Sequence, residues 1–474
     1  MVSTGTTPER YAGLDIGTTS VSCAVVDTAA GQVLRAWSRP HGAELPQALP
    51  DEHLQDAHRL LVAARSSLDE ALDRYGPFRG IGVTGQMHGI LYVDTDGRAI
   101  SPLYTWLDAR ASRTSSDGRP YHQVLEQLTG RKVAVGMGAA THFVNLHIGA
   151  VPPGARGVCG ISEYAAMQLA GTRAPVTDPT LAHGLGLYDP NRGDFDPQAW
   201  AKLGEPFLAL PEVVAQGRVL GRYEGRIPVC TPLGDNQASF LGSIREPARS
   251  ALVNIGTSAQ ISFLNSLMGE EECRFDTTIG LERRPYPDGR VLYVGASLTG
   301  GKALERLASL IGEIIRVAGG TVDDPYQIMA AVPSAVPEPL LRVDTRLAGS
   351  RVDPDVRGSI GNITLQNFTL GHLVHGFCQG IVNELHQFWV GSGVDVTYGQ
   401  ALEYLVGSGH AIRANRILRE HMAAAFGKPL LVPIYREEAA VGAALHAAAI
   451  VEARQHHDLA RMVVTYGEPG GADR

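Results

Sequence analysis

The chain has 474 residues, 44% of them hydrophobic and 19% charged, with a formal net charge of -8. That length exceeds one ordinary core and predicts two domains, while the mildly acidic balance argues against non-specific nucleic-acid binding and gives no reason to expect a membrane partner. Five scattered cysteines (Cys23, Cys159, Cys230, Cys273 and Cys378), with no close pair, predict reduced thiols in a cytoplasmic protein rather than a disulfide framework or a zinc site.

Met1 to Arg10 lacks the plan of a signal peptide, no later stretch is apolar enough to span a bilayer, and both Met1 to Arg10 and Gly467 to Arg474 read as frayed ends. Tyr11 to Ile16 is a short apolar strand entering a turn of glycine and hydroxyls, Gly17-Thr18-Thr19-Ser20, and strands over Val21 to Asp27 and Val33 to Trp37 follow. Strand, glycine turn, strand is a hairpin, so the plan is neither a Rossmann nor a Walker loop, although Gly17, Thr18 and Thr19 are suited to clamping a phosphate. Apolar residues at helical spacing from Leu54 to Leu72 predict a helix over 51–75, started by Pro50-Asp51 and stopped by Gly76-Pro77. Gly80 to Gly85 is a buried strand whose end carries Gln86, Met87 and His88, where open α/β sheets bind ligands. His88 is either a satisfied core histidine or a ligand contact, and its place at the strand end favours the contact.

Trp106, Asp108 and Arg110 share the next loop. The indole reads as core, and the acid and base as ligands or as an ordinary ion pair. A helix is predicted over 161–169, ending at Gly171, with a loop over 178–184 and a turn near 187–193. Near the midpoint, Thr231-Pro232-Leu233-Gly234-Asp235-Asn236 places one carboxylate on a glycine turn that opens a helix. Asp235 is there either a helix cap or a base held against a hydroxyl group.

The opening motif then returns. Asn254-Ile255-Gly256-Thr257 aligns with Asp15-Ile16-Gly17-Thr18, which implies two copies of one domain plan with the acid kept in only one of them. Val291 to Val294 reads as a strand and Gly300-Gly301-Lys302 as the start of a helix, with Lys302 a solvated lysine. A long helix carries Leu373, Phe377, Ile381, Leu385 and Phe388 on one face. A strand ends at Gly407-Ser408-Gly409 and opens a helix bearing Ile412, Asn415 and Met422, and a last helix of small residues follows Glu437.

Taken as an ordered set, Asp15 to Thr19, Gly85 to Gly89, Gly234 to Gln237, Ile255 to Ser258 and Gly407 to Gly409 resemble the FGGY carbohydrate kinases over nearly the whole length. That resemblance implies an α/β fold of two ribonuclease-H-like domains around a central cleft, 1–246 binding sugar and 247–474 binding ATP. It implies Asp235 as catalytic base, Asn236 on the sugar and Asp15 on Mg²⁺ through water, and Gln86, Met87, His88, Asp108 and Arg110 are then the further candidates for sugar contact. It further implies Gly17, Thr18, Thr19, Gly256 and Thr257 toward phosphate and Gly407, Ser408, Gly409 and Asn415 toward adenosine, and Gly300 and Gly301 at a helix start are further nucleotide-binding candidates. Gln86-Met87-His88 resembles the ketose kinases, and the stretch from Cys378 to His386 the sedoheptulokinases among them. The lysine–tryptophan pattern common in the family is missing around Gly138 to Val144, and Cys378-Gln379-Gly380 stands where many members carry an acid. An ATP-dependent ketose kinase is therefore the leading expectation, ahead of a xylulose or polyol kinase and of a sugar-binding regulator without turnover.

Overall fold

The computed structural model describes residues 8–264, 280–353, 355–392 and 402–467; Cys273 and most of both expected frayed ends lie outside them. The chain forms two compact units. One comprises Met1–Arg245, Pro285–Arg290 and Tyr435–Val464, and the other Glu246–Arg284, Val291–Ile434 and Thr465–Arg474. The expected boundary at 246/247 marks the first crossing to within one residue, but it is corrected beyond that point, because the chain returns twice to the first unit.

Each unit is built on a seven-stranded sheet. In the first, the central strand Arg10–Ile16 pairs antiparallel with Ser20–Asp27, which pairs with Gln32–Pro40. On its other side it pairs parallel with Gly80–Gly85, which is followed by Ile227–Cys230. The second sheet repeats this order as Val291–Ser297, Ala259–Leu264, Ser250–Ile255, Tyr404–Ser408 and Leu430–Pro433. The register repeats as well: Asp15 lies opposite Thr84, and Asn254 opposite Ser408. Alternation along the central strand sends Ala12, Leu14 and Ile16 into a core with Leu60, Ala64 and Leu68 of the helix Ala57–Tyr75.

Gly13 and Asp15 face the other way, toward Glu438–Glu452. That helix approaches by backbone contact: a Cβ on Gly13 would sit 1.9 Å from the Ala440 carbonyl oxygen, and one on Gly82 1.9 Å from that of Ala443. Its contact with the helix Asp235–Ser243 is as close, a Cβ on Gly442 lying 1.8 Å from the Ala238 oxygen. This is why the helix Glu438–Glu452 belongs to the first unit. Gly442→Ala is expected to cost about 1–3 kcal/mol or more, read as a lower urea midpoint with the slope unchanged. A midpoint equal to wild type would show that the two helices separate freely.

Four local expectations are corrected. The first helix begins at Ala57, not Asp51, because Leu54–Gln55 pairs as a strand with Leu103–Tyr104 and Asp56 caps the helix through the His58 and Arg59 N–H groups. Residues 179–185 form a helix rather than a loop, with Asp178 as cap and Pro179 in the first turn. The helix expected through Asn415 breaks there into His410–Ala414 and Arg416–Phe426, and Asn415 caps the second piece. A further helix, His456–Val463, follows the one expected to be last. Cys23, Cys159, Cys230 and Cys378 are buried free thiols.

Candidate active site

Asp15, Asp235 and Glu437 form an acidic group in the first unit. Asp15 comes from the end of the central strand, Asp235 from the first turn of Asp235–Ser243, and Glu437 from the residue before Glu438–Glu452. Glu437 holds a left-handed backbone with φ 63° and accepts a hydrogen bond from the Ser22 hydroxyl at 2.6 Å. Burial, then Asp235, then Glu437 push the Asp15 carboxyl up to about 8. Its Oδ1 is buried without a hydrogen-bond partner among the described residues. Asp235 is not the cap of its helix: Gly234 holds that position, and Asp235 Oδ1 accepts the Asn236 N–H at 2.7 Å, at the end where the helix dipole favours an anion. Glycine packs closely there: a Cβ on Gly234 would lie 2.7 Å from both Met87 Sδ and Gln237 Oε1, so either side chain would have to shift to admit one.

The Gly17–Thr19 turn is tied down from below. Gly17 N–H bonds the Ser20 carbonyl at 3.0 Å, and the Thr18 carbonyl accepts from Gln55 Nε2 at 2.6 Å. Gln55 in turn accepts from Gln86 Nε2 at 2.8 Å, leaving buried Gln86 Oε1 with no partner among the described residues. Thr19 is exposed. Trp106 is 44% exposed, contrary to its expected place in the core, and its indole N–H donates to Thr18 Oγ1 at 3.0 Å. His88, at φ 74°, bonds the Gly184 carbonyl through Nδ1 at 2.9 Å. A carbonyl only accepts, so that nitrogen carries the proton. Met87 is buried against Gly184 and Gly234, behind the Asp235 turn.

Asp108 and Arg110, expected on the sugar, are spent on each other. Both are buried, with Arg110 Nε and Nη2 bonding the Asp108 carboxylate at 2.6 and 3.0 Å. The second carboxylate oxygen also takes the His53 N–H, Arg110 Nη1 reaches Asn145 Oδ1 at 2.7 Å, and the guanidinium lies 4.3 Å from the Tyr104 ring centroid. The network continues through the Tyr92 hydroxyl to His142, whose pKa burial lowers to about 4. The pair braces the Trp106 loop.

In the second unit, exposed Gly256 and Thr257 border a cavity of about 690 Å³, together with Gly301, Lys302, His410 and Asn415. The amides of Gly301 and Lys302 are already used, bonding the Gly256 and Thr257 carbonyls at 2.9 and 3.1 Å. Gly300, Gly407, Ser408 and Gly409, expected at the nucleotide, do not line this cavity. Gly300 packs on the Ser258 backbone, and a Cβ on Gly409, at φ 87°, would lie 2.5 Å from the Ile255 oxygen. Buried Ser408 takes the Asn254 amide at 2.9 Å. These are sheet and helix contacts, which glycine and serine make as readily as ligand contacts.

Residues 10–242 match the model of the FGGY family of carbohydrate kinases, N-terminal domain. The chain belongs to the FGGY carbohydrate kinases. This FGGY kinase is 29% identical over 471 residues to sedoheptulokinase of Mus musculus, covering 91% of the chain and 96% of the relative. To glycerol kinase of Alkalilimnicola ehrlichii it is 28% identical over 467 residues, covering 92% and 89%. The crystal structure of xylulose kinase from Rhodospirillum rubrum shares its fold with a TM-score of 0.79 at 24% identity, covering 97% and 93% of the two chains. The protein is thus an enzyme, a carbohydrate kinase of the two-domain ribonuclease-H-like fold, and its family implies ATP as the phosphoryl donor. Among the described residues no helix is long and apolar enough to cross a membrane.

Gln55 and Glu437 were not legible as site residues. Gln55 lay inside a segment patterned as helix, and Glu437 is separated from Asp15 by most of the chain.

Proposed function

We propose that this FGGY kinase transfers the γ-phosphoryl group of ATP to a ketose, with sedoheptulose as preferred acceptor and sedoheptulose 7-phosphate as product. Asp235 takes the proton of the attacking hydroxyl, and Asn236, Gln86 and His88 orient the sugar. Gly17 to Thr19 and Gly256–Thr257 serve the phosphates, and the cavity beside Asn415 takes the nucleoside. The observation that carries the chemistry is the ionisable Asp235 on a helix N-terminal turn, near enough to Asp15 for its charge to raise the Asp15 carboxyl. In-line phosphoryl transfer asks the protein for a positioned base and charge neutralisation, and for little covalent work.

The donor set suits Mg²⁺. Asp15 has a buried oxygen without a partner, and among the described residues no three His, Cys, Asp or Glu side chains converge as direct ligands. That fits a hard cation which keeps most of its waters. Bound with the triphosphate it would neutralise phosphate charge, and Asp15 would be the residue holding it through water.

For the sugar, the orphan Gln86 Oε1 beside His88 supports a polyhydroxylated acceptor, since a short polyol leaves such buried groups unpaired. The near-equal identities to the sedoheptulokinase and glycerol kinase relatives do not choose the sugar. Nor does the stretch from Cys378 to His386, which lies in the helix Leu370–Gly391 of the second unit with Cys378 buried. ADP release measured with a sugar panel tests the reading. The specificity constant kcat/KM is expected to be highest for sedoheptulose, next for D-xylulose or D-ribulose, and lower for glycerol by about a hundredfold or more. His88→Ala is expected to lower the sugar's kcat/KM with nucleotide KM unchanged. Faster turnover of xylulose moves the substrate to the pentuloses, and no ADP release with any sugar replaces the kinase with a binding protein.

A further inference from the structure

Behind the base turn lies a second, wholly buried polar chain that the reaction as described does not use. Glu163 and Asp178 are 1% and 2% exposed, and Thr177 and Thr180 are each 0% exposed. Asp178 caps the helix Pro179–Leu185 through the Leu181 N–H at 3.0 Å, and the same oxygen accepts the Thr180 hydroxyl at 2.6 Å. The Thr180 oxygen in turn accepts the Gly234 N–H at 2.7 Å. Thr177, one residue before the cap, donates to Glu163 at 2.8 Å.

Gly234 has no side chain with which to hold itself, and the Met87 and Gln237 side chains pack close against its Cα. Its peptide is therefore aimed by two hydroxyls from outside. Thr84 donates to the Leu233 carbonyl at 2.8 Å, and Thr180 receives the Gly234 N–H. A hydroxyl has one proton, so the direction of the Thr180 bond is forced: with its proton on Asp178, its lone pair points at Gly234. Asp178 Oδ2 has no partner among the described residues, and burial raises this carboxyl to about 7. A proton carried on Oδ2 leaves Oδ1 an acceptor, so the chain of bonds survives titration.

We propose that Thr180, oriented by Asp178, is a positioning residue for phosphoryl transfer: it fixes the Gly234 peptide and with it the aim of the Asp235 carboxylate. The proposal rests on Asp235 being the base. Thr180→Val keeps shape and burial but removes the acceptor for Gly234. A misplacement of catalytic groups by an ångström costs up to about a hundredfold, so kcat is expected to fall about ten- to hundredfold with both KM values within about threefold. Thr180→Ser restores the hydroxyl and is expected to recover kcat to within about threefold of wild type.

The decisive measurement is steady-state kinetics of Thr180→Val and Thr180→Ser, with Thr180→Val repeated in the Asp235→Asn background. There the Val substitution is expected to lower kcat no further, because no base is left to aim. A folded Thr180→Val enzyme with wild-type kcat, a Ser variant as slow as the Val variant, or an equal loss in both backgrounds would overturn the positioning role. Near-normal turnover of Asp235→Asn by itself removes the base and the proposal together, whereas a slow Asp235→Asn beside a fast Thr180→Val removes the positioning role only. If Thr180→Val does not fold, Asp178→Asn, which keeps an acceptor oxygen, is compared with Asp178→Ala, which has none. The alanine variant is expected to be slower by about tenfold, and equal kcat in the two overturns the proposal.

Discussion

Asp235→Asn is expected to lower kcat about a hundredfold to ten-thousandfold, the range for loss of a general base, while sugar affinity changes far less. The amide preserves volume and keeps an oxygen to accept the Asn236 N–H that Asp235 now accepts at 2.7 Å, so the helix start should be undisturbed. It cannot take a proton from the sugar hydroxyl. A carboxylate serving only the helix would show the opposite pattern, a small stability change with turnover intact, and Gly234 already occupies the capping position. Turnover and sugar binding measured on the same preparation separate the two, and near-normal kcat would end the assignment.

Asp15→Asn is expected to split activity from stability. Groups that act on a metal through an intervening shell are worth about ten- to hundredfold in metal affinity or activity, so kcat should fall and the Mg²⁺ needed for half-maximal rate should rise. An unchanged Mg²⁺ dependence would remove the metal role. Without metal, the same substitution should stabilise the fold. Burial and the neighbouring Asp235 and Glu437 raise the Asp15 carboxyl from 3.8 to about 8, so between those values the native state holds a proton that the unfolded chain has released. Stability from this group is full below 3.8 and is lost as the pH rises toward 8. At pH 8 the metal-free Asn variant, which has no charge to crowd, should melt above wild type, and at pH 4 the gap should close. Equal Tm at both values would show that the carboxyl is not crowded. Asn254, in the matching position of the second sheet, is neutral and bonded to Ser408, and its change to Ser should leave the Mg²⁺ dependence unmoved.

Local pattern carried a good deal of this protein. Short apolar runs bounded by glycine turns marked the central strands of both sheets, because a strand buried on both faces leaves little choice of residue. The repeat of Asp15-Ile16-Gly17-Thr18 as Asn254-Ile255-Gly256-Thr257 disclosed two copies of one plan, and the matching registers at Thr84 and Ser408 bear that out. The ordered motifs also carried the family. Tertiary structure decided what these residues face. It placed Glu437 beside Asp15, since Gly13 and Gly82 let the helix Glu438–Glu452 approach the first sheet backbone to backbone. It turned Asp108 and Arg110 toward each other, because a buried guanidinium beside a carboxylate is most cheaply satisfied there. It also took Gly300, Gly407, Ser408 and Gly409 into packing, where a small residue serves close approach as well as it serves a phosphate. A motif states which side chains are available; which partner each one meets depends on contacts hundreds of residues apart, and those exist only once the sheets and helices have closed on one another.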